Sequence, residues 1–113
     1  MDHVTAIAYQ EVVKKLESKF GEGLDLDAVV LIIGVQELGK GFKKFSKDEK
    51  MNLMHIAICT ILEPYGYYKY SHEDEDGWPH FDKIENLPAL GAKEQESLLK
   101  EAVIQYFEVN KYL

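Results

Sequence analysis

Chemistry-bearing side chains concentrate in one stretch, Pro64 to Phe81, which holds six aromatic rings, four consecutive carboxylates and two histidines. Clustered carboxylates and imidazoles are the ligands that hard and borderline divalent ions take, so His72, Asp74, Asp76 and His80 form a candidate metal set, with Glu73, Glu75 and Asp82 beside them. The spacing tests this reading in two ways. In a calcium loop starting at His72, Asp74, Asp76 and Gly77 fall at the third, fifth and sixth positions, but the first residue is not acidic and Lys83 stands where the bidentate Glu belongs. The Glu-x-x-Asp step from Glu73 to Asp76 lies beside a Gly-Trp-Pro turn, without a partner pair at helical spacing before it. Both patterns fail, and a solvated acidic loop explains the run more simply.

The aromatic residues of the stretch carry the leading expectation. Tyr65, Tyr67, Tyr68, Tyr70, Trp78, His80 and Phe81 combine large contact area with polar handles, which suits a surface that anchors a partner. The competing reading makes the same rings a satellite core. A second candidate is the lysine-rich connection, where Lys43, Lys44, Ser46 and Lys47 surround a helix start whose free amides and dipole favour an anion. The Gly-Lys-Gly run there lacks the P-loop pattern. A helix ridge of His55, Cys59 and Glu63 places three metal-capable groups at four-residue steps, although Cys59 reads as a small buried hydrophobe and His55 as a boundary histidine. No nucleophile elbow or other catalytic motif surrounds Cys59 or any serine.

Four helices must position these groups. Tyr9, Val12, Val13, Leu16 and Phe20 recur at three- and four-residue steps up to Gly21, predicting a first helix with one buried face. A second is predicted from Asp25 or Asp27 to about Gly39, with Leu31, Val35, Leu38 and Phe42 continuing its stripe. Ser46 and Glu49 have capping-box spacing, so a third begins at Ser46. Its expected buried stripe is Met51, Met54, Ile58, Ile61 and Leu62, and Pro64 stops it near Glu63. A type I turn at Glu63–Gly66 precedes the period-two pattern of Tyr68 and Tyr70, and Asp76-Gly77 signals a hairpin turn. Residues 81–86 read as one helical turn. A last helix from about Ala92 carries Leu98, Leu99, Ala102, Val103, Tyr106 and Val109 on its apolar face.

These elements predict a single, mostly all-α domain over residues 1–113: a compact bundle of four main helices with a short irregular hairpin or loop excursion between the third and fourth. With 46% hydrophobic and 29% charged residues, the composition is that of one soluble globular domain. The net charge of -7 repels a phosphate backbone, so nucleic acid is not an expected partner. The longest apolar run, Ala28 to Ile33, is far short of the ~20 residues that span a bilayer, and the N-terminus lacks a signal pattern, so a cytoplasmic protein without a membrane partner is expected. Cys59 is the sole cysteine and makes no intrachain disulfide.

The runs Gly34-Val-Gln-Glu-Leu-Gly-Lys-Gly-Phe, Met54-His-Ile-Ala-Ile-Cys and Asp74-Glu-Asp-Gly-Trp-Pro-His-Phe resemble small bacterial all-helical proteins of unknown function, over about residues 24 to 109. The resemblance implies a bacterial cytoplasmic protein and carries no activity or site. The functional expectation is a non-enzymatic binding module that engages a protein partner or a second copy of itself through residues 64–81, with no cofactor. The alternative is a small metal-dependent hydrolase holding a divalent ion with ligands from residues 72–82.

Overall fold

A computed structural model describes residues 2–110 and is mostly helical. Four helices, α1 (His3–Phe20), α2 (Leu26–Leu38), α3 (Lys47–Leu62) and α4 (Ala92–Asn110), are joined by a 3-10 turn at Glu63–Tyr65 and by an antiparallel pair of strands, β1 (Tyr68–Glu73) and β2 (Pro79–Lys83), between α3 and α4. Among the described residues no helix is long and apolar enough to cross a membrane. The chain divides into two compact units, one comprising residues 1–29 and 88–113, the other residues 30–87.

In the first unit, Asp2 caps α1 by accepting the Thr5 N–H at 2.7 Å, and the helix ends at Gly21, whose φ of 101° a Cβ would strain. Glu17 then holds the exit from α1, its carboxylate accepting the N–H groups of Gly23 and Leu24 at 2.7 and 3.2 Å. Asp25 supplies the cap of α2 by accepting the Ala28 N–H. α1 packs against α4 through a core that includes Tyr9, Leu16, Val103, Tyr106 and Phe107. Phe20 and Val109, expected on buried faces, are 41% and 69% exposed, and each sits in the last turn of its helix. The Lys100 ammonium, fixed by Glu96 at 2.9 Å, stands 5.0 Å from the centre of the Tyr9 ring, while the Tyr9 hydroxyl is buried without a hydrogen-bond partner. Burial, with Glu96 and Asp25 as further causes, pushes the Tyr9 hydroxyl up to about 12.

In the second unit, Ser46 and Glu49 form the full capping box: the Ser46 hydroxyl accepts the Glu49 N–H, and the Glu49 carboxylate accepts the Ser46 N–H. The buried side of α3 is turned away from the expected stripe. Leu53, Ile56, Ala57 and Cys59 join Ile61 and Leu62 in the core, whereas Met51 is 64% exposed and Met54 and Ile58 are only half-buried. Phe42 is likewise exposed, and Phe45, three residues on, supplies the buried ring. Residues 81–86 form no helical turn; Phe81–Lys83 complete β2, because each pairs with a residue of β1 from Tyr68 to Tyr70.

The second core holds a close backbone approach. A Cβ built at Gly34 on α2 would stand 2.2 Å from the carbonyl oxygen of Leu53 on α3, a distance no packing adjustment of side chains relieves. Replacing a helical glycine with alanine ordinarily gains about 0.5–1 kcal/mol. Gly34→Ala will instead destabilise the protein by about 1–3 kcal/mol or more, read as a lower urea midpoint, because the two helices must separate. An unchanged or raised midpoint would show that they do not meet at this point.

Candidate functional site: a cleft between the hairpin and helix α3

The hairpin is built around one side chain. Asp74 accepts the backbone N–H groups of Asp76 and Trp78 on Oδ1, each at 3.0 Å, and the His80 Nε2–H on Oδ2 at 2.9 Å. An aspartate in a turn favours such bonds because its short carboxylate reaches the amides two residues on. Gly77 completes the turn at φ 83°, and the Asp74 N–H donates to the Trp78 carbonyl at 2.9 Å. Hydrogen bonds from His80 first, then from Trp78 and Asp76, hold the Asp74 carboxyl below its ordinary value of 3.8.

Pairing of the strands runs Tyr68 to Lys83, Lys69 to Asp82 and Tyr70 to Phe81, then shifts so that His72 faces His80. The extra residue is Ser71, a β-bulge. Strict alternation would leave His72 on the face of Tyr68 and Tyr70; the bulge turns it to that of His80, and the two imidazoles stack 5.0 Å apart with planes 8° from parallel. Tyr70 and Phe81 meet edge-to-face at 5.9 Å.

Four contacts fasten this hairpin to the rest of its unit. The Tyr70 N–H donates to the Glu63 carboxylate at 2.6 Å, and the Tyr68 ring meets His55 edge-on at 6.4 Å. Lys40 donates its ammonium to the Asp76 carbonyl. Trp78 packs against the cluster of Val35, Leu38, Phe45 and Leu53. His55 on α3 and Glu63 in the turn that follows it thus form part of the seat of the hairpin. The Cys59 thiol is fully buried 3.5 Å from His55 Nε2, and burial pushes it up to about 11, so it stays protonated and unreactive at neutral pH.

Between the hairpin and α3 lies a cleft of about 410 Å³. Glu49, Asn52, His55 and Ile56 line it from the helix; Asp74, Asp76, Trp78, Pro79, His80 and Phe81 line it from the hairpin. No solved structure, curated protein or family model matches this chain.

Of the residues singled out by sequence, His55, Trp78, His80, Phe81, Asp74 and Asp76 meet in this cleft. Tyr68 and Tyr70 brace its hairpin wall through His55 and Phe81, while Tyr65 and Tyr67 lie at the hairpin base and do not line it. His72 stacks on His80 and binds Ser71 Oγ through Nδ1 at 2.9 Å. Among the described residues no three His, Cys, Asp or Glu side chains gather around a point where a metal ion would sit. Lys43, Lys44, Ser46 and Lys47 are exposed; the Ser46 and Glu49 amides are bonded within the capping box, and the Lys43 ammonium stands 5.5 Å from the centre of the Phe45 ring. The helix wall of the cleft was open to detection: Glu49, Asn52 and Ile56 follow at three- and four-residue steps, one face of α3.

Because the Asp74 carboxyl is depressed in the folded protein, its contribution to stability is complete above the ordinary carboxyl range and is lost as pH falls through the folded value. Asp2 and Glu49 are held low by their capping bonds and act with the same sign. Trp78 emission, followed in mild urea from pH 7 to pH 2, will therefore keep its native wavelength down to about pH 4 and shift only below 3.8. In Asp74→Asn, whose amide oxygen can still accept the turn amides, the pH-dependent part will shrink. An identical acid transition in both proteins would mean that the His80–Asp74 pair contributes nothing to holding the hairpin.

Proposed function

We propose that the protein is a non-enzymatic binding module whose recognition surface is the cleft between the hairpin and α3, and whose partner is another protein. The observation that carries this reading is the way Trp78 serves two surfaces: it packs on the core cluster and also lines the cleft, so an anchor of the cleft is positioned before any partner arrives. Pockets that combine a few aromatic walls with convergent polar groups are the usual form of a binding site. Two groups suited to catalysis are engaged otherwise. Cys59 is buried and protonated, Asp74 is committed to its turn and to His80, and the described residues lining the cleft include no hydroxyl, thiol or amine nucleophile. The charge of -7 supports a protein partner over a nucleic acid.

A peptide-display library selected on the full chain tests this. Selected peptides will lose at least about tenfold in affinity for Phe81→Ala, which opens the hairpin wall, and for Asn52→Trp, which fills the cleft from the helix without touching the hairpin. Unchanged nuclear Overhauser contacts between the Tyr68 and His55 rings in each variant verify that the hairpin remains seated. Peptides that bind both variants as tightly as the parent would place recognition elsewhere and overturn the proposal.

A further inference from the structure

The charges of the cleft point to one class of ligand, an inference that rests on the cleft being the recognition surface. Three carboxylates, Glu49, Asp74 and Asp76, line it from two elements, and no lysine or arginine is among the described residues that do. Their oxygens are not equally occupied. Asp74 spends both on the turn and on His80, and Glu49 gives Oε1 to the Ser46 amide. Asp76 enters the turn through its backbone, its N–H donating to Asp74 and its carbonyl accepting from Lys40, and its carboxylate lines the cleft with that of Glu49, whose charged form Lys43 also favours. Trp78 and Phe81, whose ring faces attract cations, line the cleft with them, as do the Asn52 amide and the imidazoles of His55 and His80.

We infer that the cleft takes an arginine side chain from a basic, exposed segment of a protein partner. A guanidinium is planar, stacks on aromatic rings and presents a fork of donors that two carboxylates can accept together. A bare metal ion would leave the rings unused, and a lysine ammonium would use the charge without the stacking. The negative charge of the whole chain adds attraction at long range and raises the rate of encounter.

The test titrates the peptide Gly-Gly-Arg-Gly-Gly, and its counterpart with citrulline in place of arginine, into isotope-labelled full chain at low salt, followed by amide and indole chemical shifts. The arginine peptide will move the Trp78 indole and the His80 and Phe81 amides in one saturable transition. The citrulline peptide, equal in shape and uncharged, will bind at least about tenfold more weakly. Asp76→Asn will weaken the arginine peptide by at least about threefold, with the amide spectrum of the hairpin otherwise unchanged, and Glu49→Gln, which keeps its capping acceptor, will do the same. Equal binding of the two peptides, or shifts spread over the acidic surface without saturation and indifferent to Asp76→Asn, would overturn the inference. If display-selected peptides bind the cleft without arginine, this inference fails while the broader reading stands; if no peptide responds to Phe81→Ala or Asn52→Trp, the cleft itself is excluded.

Discussion

An isolated two-stranded hairpin is marginal in water, because it buries too little apolar surface to offset the entropy of ordering its chain. The hairpin of residues 68–83 escapes that limit through Trp78, which seats its turn on the cluster of Val35, Leu38, Phe45 and Leu53. Full burial of a large apolar side chain is worth roughly 1.5–3 kcal/mol, and the partly buried Trp78 contributes a share of it comparable to one of the charge-assisted hydrogen bonds of Asp74. The Asp74 bonds determine which way the turn points, and the Trp78 contact determines that it stays on the helices. The cleft exists only while both hold.

Most of the helical framework was legible because its signals are local. The Ser46 and Glu49 pair, Gly21 and Pro64 each act within a turn of their own position, and each marks the boundary that the sequence implies; on α4, Ala102, Val103 and Tyr106 are buried as expected, whereas Val109 is exposed and Phe107 is buried. The buried side of α3 was not legible. Methionine and leucine satisfy an apolar stripe equally well on paper, but the close approach of Gly34 on α2 decides that Leu53 faces inward while Met51 is left in solvent. The second arm of the expected hairpin is present, but Phe81–Lys83 belong to it rather than to a helical turn for a related reason: so few residues carry too little periodicity, and only pairing with β1 makes them extended.

The site divides along the same line. The concentration of rings and carboxylates in residues 64–81 marked the right segment, but its division of labour depends on contacts across the fold. Ser71, a residue with no chemical distinction, forms the bulge that stacks His72 on His80. Tyr65 and Tyr67 resemble Trp78 in composition and differ from it in place. His55 and Glu63, two members of the ridge that reads as a metal-binding face, receive a tyrosine ring and the hairpin backbone. The acidic run that first suggests metal chemistry thus serves two ends. Asp74 spends its charge on structure, and Asp76 lines the cleft.

A preformed cleft requires a hairpin as rigid as the helix it faces, and backbone amide relaxation measures this most directly. The account predicts order parameters for residues 68–83 near the value of about 0.85 that marks rigid backbone, equal to those of α3. Values below about 0.6 across the hairpin, with α3 remaining rigid, would contradict it, since the cleft would then have no fixed second wall.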